Sequence, residues 1–233
     1  FEAGTLRYAD AHYNLGHHDS FAFFSKTNLS WKTSLELRVD SKAASFLEDA
    51  ANGALPSVSW IDPAFSNFNP IGIQPNDDHP PADIKDGQEL VLAVYHALAT
   101  SPQWERTLLV IFYDEHGGFF DHVAPPASPD DDPNMFGRYG VRIPALIVSP
   151  WVEPGSVYND EHRHTSLIAT LRRIWDIGDA FTERDKAARP FDYVFSRETP
   201  TDPDAWGVPR ANPVPKWQID WEASDRTLSN LGK

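Results

Sequence analysis

Thr107 to Pro126 reads TLLVIFYDEHGGFFDHVAPP. Its first part, Leu108 to Tyr113, is an unbroken apolar run rich in β-branched and aromatic residues, the pattern of a strand covered on both faces of a parallel sheet. The apolar character then ends at once. Asp114, Glu115 and His116 arrive together, followed by Gly117-Gly118, Phe119-Phe120 and a second acid-histidine pair, Asp121-His122. In open α/β sheets, ligands collect outside the carboxyl ends of the strands, so carboxylates placed here face a crevice. Two adjacent carboxylates repel and raise one another's pKa unless a cation offsets them. Hard oxygen donors suit a divalent ion, and nearby imidazoles would suit zinc or iron. The residues alone leave two readings open: a metal or catalytic site, or a strand end closed by solvated acids and a Gly-Gly turn.

Outward from this stretch the chain alternates helix and strand. Asp86 opens a helix, with Glu89 at capping-box spacing and Leu90, Val91, Val94, Tyr95 and Leu98 three and four residues apart, and Pro102 ends it. After the central strand, Ala124 to Phe136 is acidic and rich in proline, a composition that predicts a mobile loop. Val141 to Trp151 contains a second buried strand at Ala145 to Val148. His162 and His164 then precede a helix that Thr165 could cap, with Leu167, Ile168, Leu171, Ile174 and Trp175 on one face. Helix, strand and helix in this order predict a layered α/β domain.

Towards the amino terminus, Ser41 to Asn52 predicts a helix stopped by Gly53, and Leu55 to Ile61 a short strand. His79 lies in the loop segment Asp77-Asp78-His79-Pro80, where the following proline favours an extended backbone. His17 and His18 are adjacent, and serve one site only if the chain turns at Gly16. By themselves these loop histidines read more readily as surface polarity than as a site. After Arg197 the chain is rich in Pro, Asp and Trp, and reads as a tail lying on the domain surface.

A net charge of −14 argues against general nucleic-acid binding, which relies on a basic face. The absence of cysteine removes any disulfide framework. No apolar run reaches the roughly 18 residues of a membrane-spanning helix. The nucleophile elbow GxSxG, the P-loop, the HExxH helix and the dinucleotide turn GxGxxG are all missing, which removes support for those enzyme classes.

The blocks YDEHGGFFDHVAPP, NDDHP, SPQW and GVRIPALIVSPWVEPG, with His164-Thr165-Ser166 opening the last helix, occur in one order between about Tyr13 and Phe195. In these the chain resembles the phosphoesterase family of bacterial and plant non-specific phospholipases C and related acid phosphatases. The resemblance implies an alkaline-phosphatase-like three-layer α/β/α sandwich with a mostly parallel sheet. It also implies metal-assisted hydrolysis of phosphate esters through a covalent phospho-enzyme, on phospholipid head groups or, in a neighbouring reading, on phosphomonoesters.

By position, the resemblance assigns Asp114 and Glu115 to a divalent metal ion, and His17, His18 and His79 to the surroundings of the substrate phosphate. It places His116, Asp121, His122 and His164 near the site as groups that orient ligands. The family's ENRSFDH-like segment and hydroxyl nucleophile lie upstream of the double histidine, and nothing here matches them. Residues 1–196 are therefore expected to be the carboxyl-terminal part of a phosphoesterase catalytic domain, and residues 197–233 its tail, with the nucleophile upstream. A non-catalytic metal-binding domain is the reading from a different class. Peripheral membrane contact is a further expectation, the net charge predicts no nucleic-acid partner, and the resemblance implies a secreted or periplasmic location.

Overall fold

The computed structural model describes the backbone of residues 11–14, residues 46–63 except the side chain of Asp62, and residues 76–207. They fall in two compact units, Phe1–Arg106 with Trp206–Lys233, and Thr107–Ala205. Both mix helix and strand, so the α/β class read from the sequence holds.

In the first unit, strand β1 (Ala11–Asn14) pairs in parallel with β2 (Ser59–Asp62), from Ala11 opposite Ser59 to Asn14 opposite Asp62. Helix α1 (Phe46–Ala51) packs against α2 (Ile84–Ala99). Gly53 stops α1 as its position suggests. It takes a φ of 65°, open to glycine at little cost, and its N–H donates to the carbonyl of Ala50 at 3.2 Å. The strand predicted from Leu55 begins four residues later, at Ser59. Leu55 is already engaged: its N–H donates to Gln103 Oε1 at 2.9 Å, and its carbonyl accepts from Gln103 Nε2 at 3.1 Å. Pro56 has no N–H to offer a ladder.

Helix α2 starts earlier than the Asp86–Glu89 spacing predicts. Asp83 is the cap, its carboxylate accepting from Lys85 N–H at 3.0 Å, which leaves Asp86 in the first turn where the helix dipole favours a negative charge. Leu90, Val94, Tyr95 and Leu98 are buried as the spacing requires, joined by Ala93 and, from α1, Phe46 and Ala50. The tail begins on the second unit, and from Trp206 it belongs to this one. Trp206 stacks on Tyr95 at 5.9 Å between ring centroids and meets Trp104 edge-on at 5.5 Å.

In the second unit, β3 (Leu109–Phe112) pairs with β4 (Ala145–Val148), and the pairing is antiparallel, Leu109 opposite Val148 and Phe112 opposite Ala145. This corrects the parallel reading of β3. An apolar run reports burial and carries no information on the direction of the neighbouring strand. Burial is also lighter than predicted: β3 is half-buried throughout, and Leu146 of β4 is exposed. The core lies to one side, where Val152, Phe191 and Val194 are buried and Leu108, Val110, Ile147, Leu167 and Phe195 pack on them.

Helix α4 (His164–Trp175) buries its small residues most deeply, beside the Leu and Ile stripe from which Leu167 packs on the core. Ser166, Ala169 and Thr170 are buried, and Ile174 is exposed. Their small side chains admit a close backbone: Thr170 Oγ1 accepts from Phe191 N–H at 3.0 Å and donates to the Ser166 carbonyl at 2.7 Å. Arg163, not Thr165, is the cap residue, its N–H donating to Ser166 Oγ at 3.0 Å.

The loop expected to be mobile is tied down. It contains a short helix, α3 (Pro133–Phe136), closed by a bridge between Ala127 and Arg138. Arg184, in α5 (Glu183–Lys186), pairs with Asp130 at 2.8 Å and donates to the carbonyl of Phe136, and Asp131 accepts from Glu183 N–H. Tyr139 lies under both Arg163 and Arg184, 4.6 and 5.5 Å from its ring centroid.

Arg172 holds α5 to α4. Its two terminal nitrogens donate to the two Asp185 oxygens at 2.7 and 2.8 Å, with only 8% of the Asp185 side chain exposed. This pairing keeps the Asp185 carboxyl below its ordinary pKa. A depressed folded-state pKa contributes stability that is present above the unfolded value and is lost as the pH falls through the folded one. Asp185→Asn is expected to cost about 2 kcal/mol at pH 7, the size of a charge-assisted hydrogen-bonded pair. In urea titrations this difference shrinks as the pH is taken below about 4; a constant difference would contradict the assignment.

Candidate active site

The carboxyl end of β3 is built by its own side chains. Beyond Tyr113 the backbone turns sharply, with Gly117 and Gly118 at φ of 66° and 77°, values that disfavour a Cβ. Asp114 Oδ1 accepts from Glu115 N–H at 2.9 Å, Glu115 Oε2 accepts from Gly117 N–H at 2.8 Å, and Phe119 N–H closes the turn on the His116 carbonyl at 3.2 Å. His116 Nδ1 lies 3.3 Å from the same Glu115 oxygen. Asp114 and Glu115 are exposed, each with one oxygen bonded to this turn.

His164 joins this group from far along the chain. Its Nε2 lies 2.9 Å from the Tyr113 carbonyl, and its ring is 5.5 Å from that of Phe112. A carbonyl only accepts, so Nε2 carries the proton and Nδ1 is the acceptor nitrogen of the neutral ring. The first residue of α4 thus fixes the peptide immediately before Asp114.

Asp121 faces Arg142, which donates to both carboxylate oxygens at 2.7 and 2.8 Å, and it also accepts from Val123 N–H at 2.9 Å. These bonds, led by those of Arg142, hold its carboxyl far below the usual range. The pair ties the turn after β3 to the segment entering β4. His122 points outward, its Nδ1 3.6 Å from Asp121.

His79 belongs to the first unit, in the segment leading to α2. Its Nδ1 lies 2.8 Å from the Pro80 carbonyl, so Nδ1 carries the proton and Nε2 is the acceptor of the neutral ring. Its ring is exposed. Asp114, Glu115 and the four orienting candidates belong to the second unit. His17 and His18 lie outside the described residues.

Among the described residues, no three His, Asp or Glu side chains are arranged to hold a metal ion. Asp114 and Glu115 have the donor chemistry of a hard cation's ligands but supply only part of a six- to eight-oxygen shell.

One polar cluster in the second unit joins His162 to groups that no motif singled out. Tyr193 donates to Asp160 Oδ2 at 3.0 Å, stacks on His162 at 5.8 Å and lies beneath Arg189, which also pairs with Asp160. Tyr193, with Arg189 second, lowers the Asp160 pKa; burial, with Asp160 second, raises that of Tyr193. Its members come from separate segments of irregular backbone, so no local spacing reveals it. Arg142, the partner of Asp121, was hidden for the same reason.

The order of these blocks matches the phosphoesterase family over residues 7–178. The chain belongs to the phosphoesterase family. It is similar to non-specific phospholipase C6 of Arabidopsis thaliana, 43% identical over 173 residues, which cover 66% of this chain and 33% of that one. It is also similar to phospholipase C B of Mycobacterium tuberculosis strain H37Rv, 29% identical over 194 residues covering 73% and 36%. Non-hemolytic phospholipase C of Burkholderia pseudomallei is 37% identical over 142 residues, covering 52% and 19%. The chain therefore spans about a third of the length of the plant relatives it matches. Tyr113, Asp114, Glu115 and His164 fall within the part that matches the family.

The Asp121–Arg142 pair makes a checkable prediction for pH. Because the Asp121 pKa is lowered on folding, its contribution is complete at neutral pH and declines as the pH drops below the unfolded carboxylate value of about 4. Asp121→Asn should melt below the wild type at pH 7, with the two melting curves converging on acidification.

Proposed function

We propose that this chain carries part of the active site of a metal-dependent phosphodiesterase of phospholipase C type, acting on phospholipid head groups. The observation that carries the reading is the Asp114–Glu115 pair at the carboxyl end of β3, within the segment that matches the phosphoesterase family. In this reading Asp114 and Glu115 hold a divalent cation, which would neutralise phosphate oxygens and lower the barrier to in-line displacement. His164 keeps the Tyr113 peptide in place and thereby the direction in which Asp114 leaves the strand. His79, with His17 and His18, stabilises charge on the phosphate or delivers a proton to the leaving oxygen, through Nε2 in the case of His79. Asp121 and Arg142 hold the turn between them. The fold that accommodates this chemistry is the alkaline-phosphatase-like three-layer sandwich, of which the β3–β4 pair would be one antiparallel portion.

The test is calorimetry with Mn²⁺ or Zn²⁺ together with turnover of p-nitrophenylphosphorylcholine and p-nitrophenyl phosphate, on the chain and on Asp114→Ala/Glu115→Ala. Loss of two charged oxygen ligands should weaken cation binding by at least about tenfold and abolish whatever turnover the chain supports, with the diester the preferred substrate. Unchanged cation binding in the double variant would remove the metal assignment. Preference for the monoester would replace the phospholipase reading by a phosphatase one.

The same reading includes contact with a lipid surface. Phe119 and Phe120 are 67% and 93% exposed on a turn that hydrogen bonds hold rigid. Large aromatics presented to water in this way favour an interface between water and hydrocarbon. Phe119→Ser/Phe120→Ser should reduce cosedimentation with phosphatidylcholine vesicles and hydrolysis of vesicle substrate, and spare hydrolysis of soluble p-nitrophenylphosphorylcholine. Equal loss on both substrates would place these rings in the chemistry instead.

A further inference from the structure

His79 is exposed and sits on irregular backbone, residues 76–83, where no ladder or helix sets the direction of a side chain. The residue before it supplies that direction. Asp78 takes a left-handed backbone conformation, φ 59°, which aspartate, asparagine and glycine tolerate better than other residues. Its carboxylate is thereby brought onto the beginning of α2, against Gly87. A Cβ on Gly87 would stand 2.0 Å from Asp78 Oδ1, 2.6 Å from its Cγ and 3.0 Å from Oδ2. The carboxylate thus fills the volume that any other side chain at position 87 would need.

Glycine is disfavoured inside helices, yet it stands in the first turns of a 16-residue helix with good propensity elsewhere. The Asp78 seat explains why it is there. Left-handed conformations outside glycine cluster at active sites when the surroundings hold them. Here the surroundings do so on both sides of His79. Its N–H donates to Asp77 Oδ1 at 3.2 Å, its carbonyl accepts from Ala82 N–H at 2.8 Å, and its ring Nδ1 meets the Pro80 carbonyl.

We infer that Asp78 is a positioning residue for His79: its carboxylate, seated against Gly87 of α2, sets the backbone direction from which the His79 imidazole is presented. The inference rests on the reading of His79 as a group that acts on the substrate phosphate. It adds to that reading two residues that touch no substrate and a reason for each.

The test uses the chain with ¹³C-labelled histidine, and the His79 ring signal is assigned by its loss in His79→Gln. Wild-type His79 should give one ring signal with a cross-relaxation contact to Pro80. Gly87→Ala, which drives a methyl group into the carboxylate, and Asp78→Gly, which removes the carboxylate while keeping the left-handed step accessible, should each shift or broaden that signal. Asp78→Asn keeps the shape and should retain it. Gly87→Ala added to Asp78→Gly should change nothing further, since the two act through one contact. The His96 signal, from the last turn of α2 in the same unit, reports whether each variant stays folded.

A His79 signal unmoved in both Asp78→Gly and Gly87→Ala, with the His96 signal intact, overturns the inference and leaves Asp78 as a shaper of the helix start alone. Turnover of p-nitrophenylphosphorylcholine is read beside it. A misplaced catalytic imidazole should lower kcat by roughly ten- to a hundredfold with KM little changed. If the ring signal moves and a measurable wild-type turnover does not, Asp78 still positions His79, and the catalytic reading of His79 is what falls.

Discussion

Backbone polar groups that leave a strand must find partners, and at the end of β3 the partners are the side chains proposed here to carry the chemistry. Asp114 bonds the N–H of Glu115, Glu115 bonds that of Gly117, and His164 reaches the Tyr113 carbonyl from the start of α4. The turn therefore keeps its shape by means of the carboxylates it displays. Each carboxylate commits one oxygen to the protein and turns in a direction set by a covalent neighbour, which orients ligands more firmly than solvent could. A substitution in this stretch consequently disturbs the shape of the turn as well as the carboxylates it displays.

Around this turn the second unit is held by arginines. The protein has 34 acidic against 20 basic residues, so cations are scarce, and several are placed where one guanidinium can fasten two segments. Arg172 fixes α5 to α4 through Asp185, Arg184 fixes the loop of α3 to α5 through Asp130 and backbone carbonyls, and Arg142 fixes the turn after β3 through Asp121. The planar fork of arginine matches a carboxylate with two parallel bonds, a geometry lysine does not offer. Such anchors order irregular backbone without requiring regular structure, which suits a unit whose helices and strands are short.

The first unit uses aromatic and aliphatic packing for the same end. α1 lies on α2, and Trp206 stacks on Tyr95 and meets Trp104 edge-on. Within it, Gln103 binds both backbone groups of Leu55, and Asp78 occupies the place of a missing side chain at Gly87. In both cases one side chain fixes a stretch of loop that has no ladder to join.

What the sequence determined was local and chemical. Apolar runs at Leu109 to Phe112 and Ala145 to Val148 located β3 and β4, three- and four-residue spacing located α2, and Gly53 stopped α1, because these signals act over a few residues of backbone. The ordered blocks around Asp114 and Glu115 were enough to place the chain in its family. Only the tertiary structure decided that β3 and β4 run antiparallel, that α4 buries Ser166, Ala169 and Thr170, and that the acidic loop is pinned by Arg184. It alone brought His164 to Tyr113, Arg142 to Asp121 and Asp78 to Gly87. A residue's type fixes what it can bond to. Which partner it meets depends on where the chain returns after intervening turns, and no periodicity in the sequence records that return.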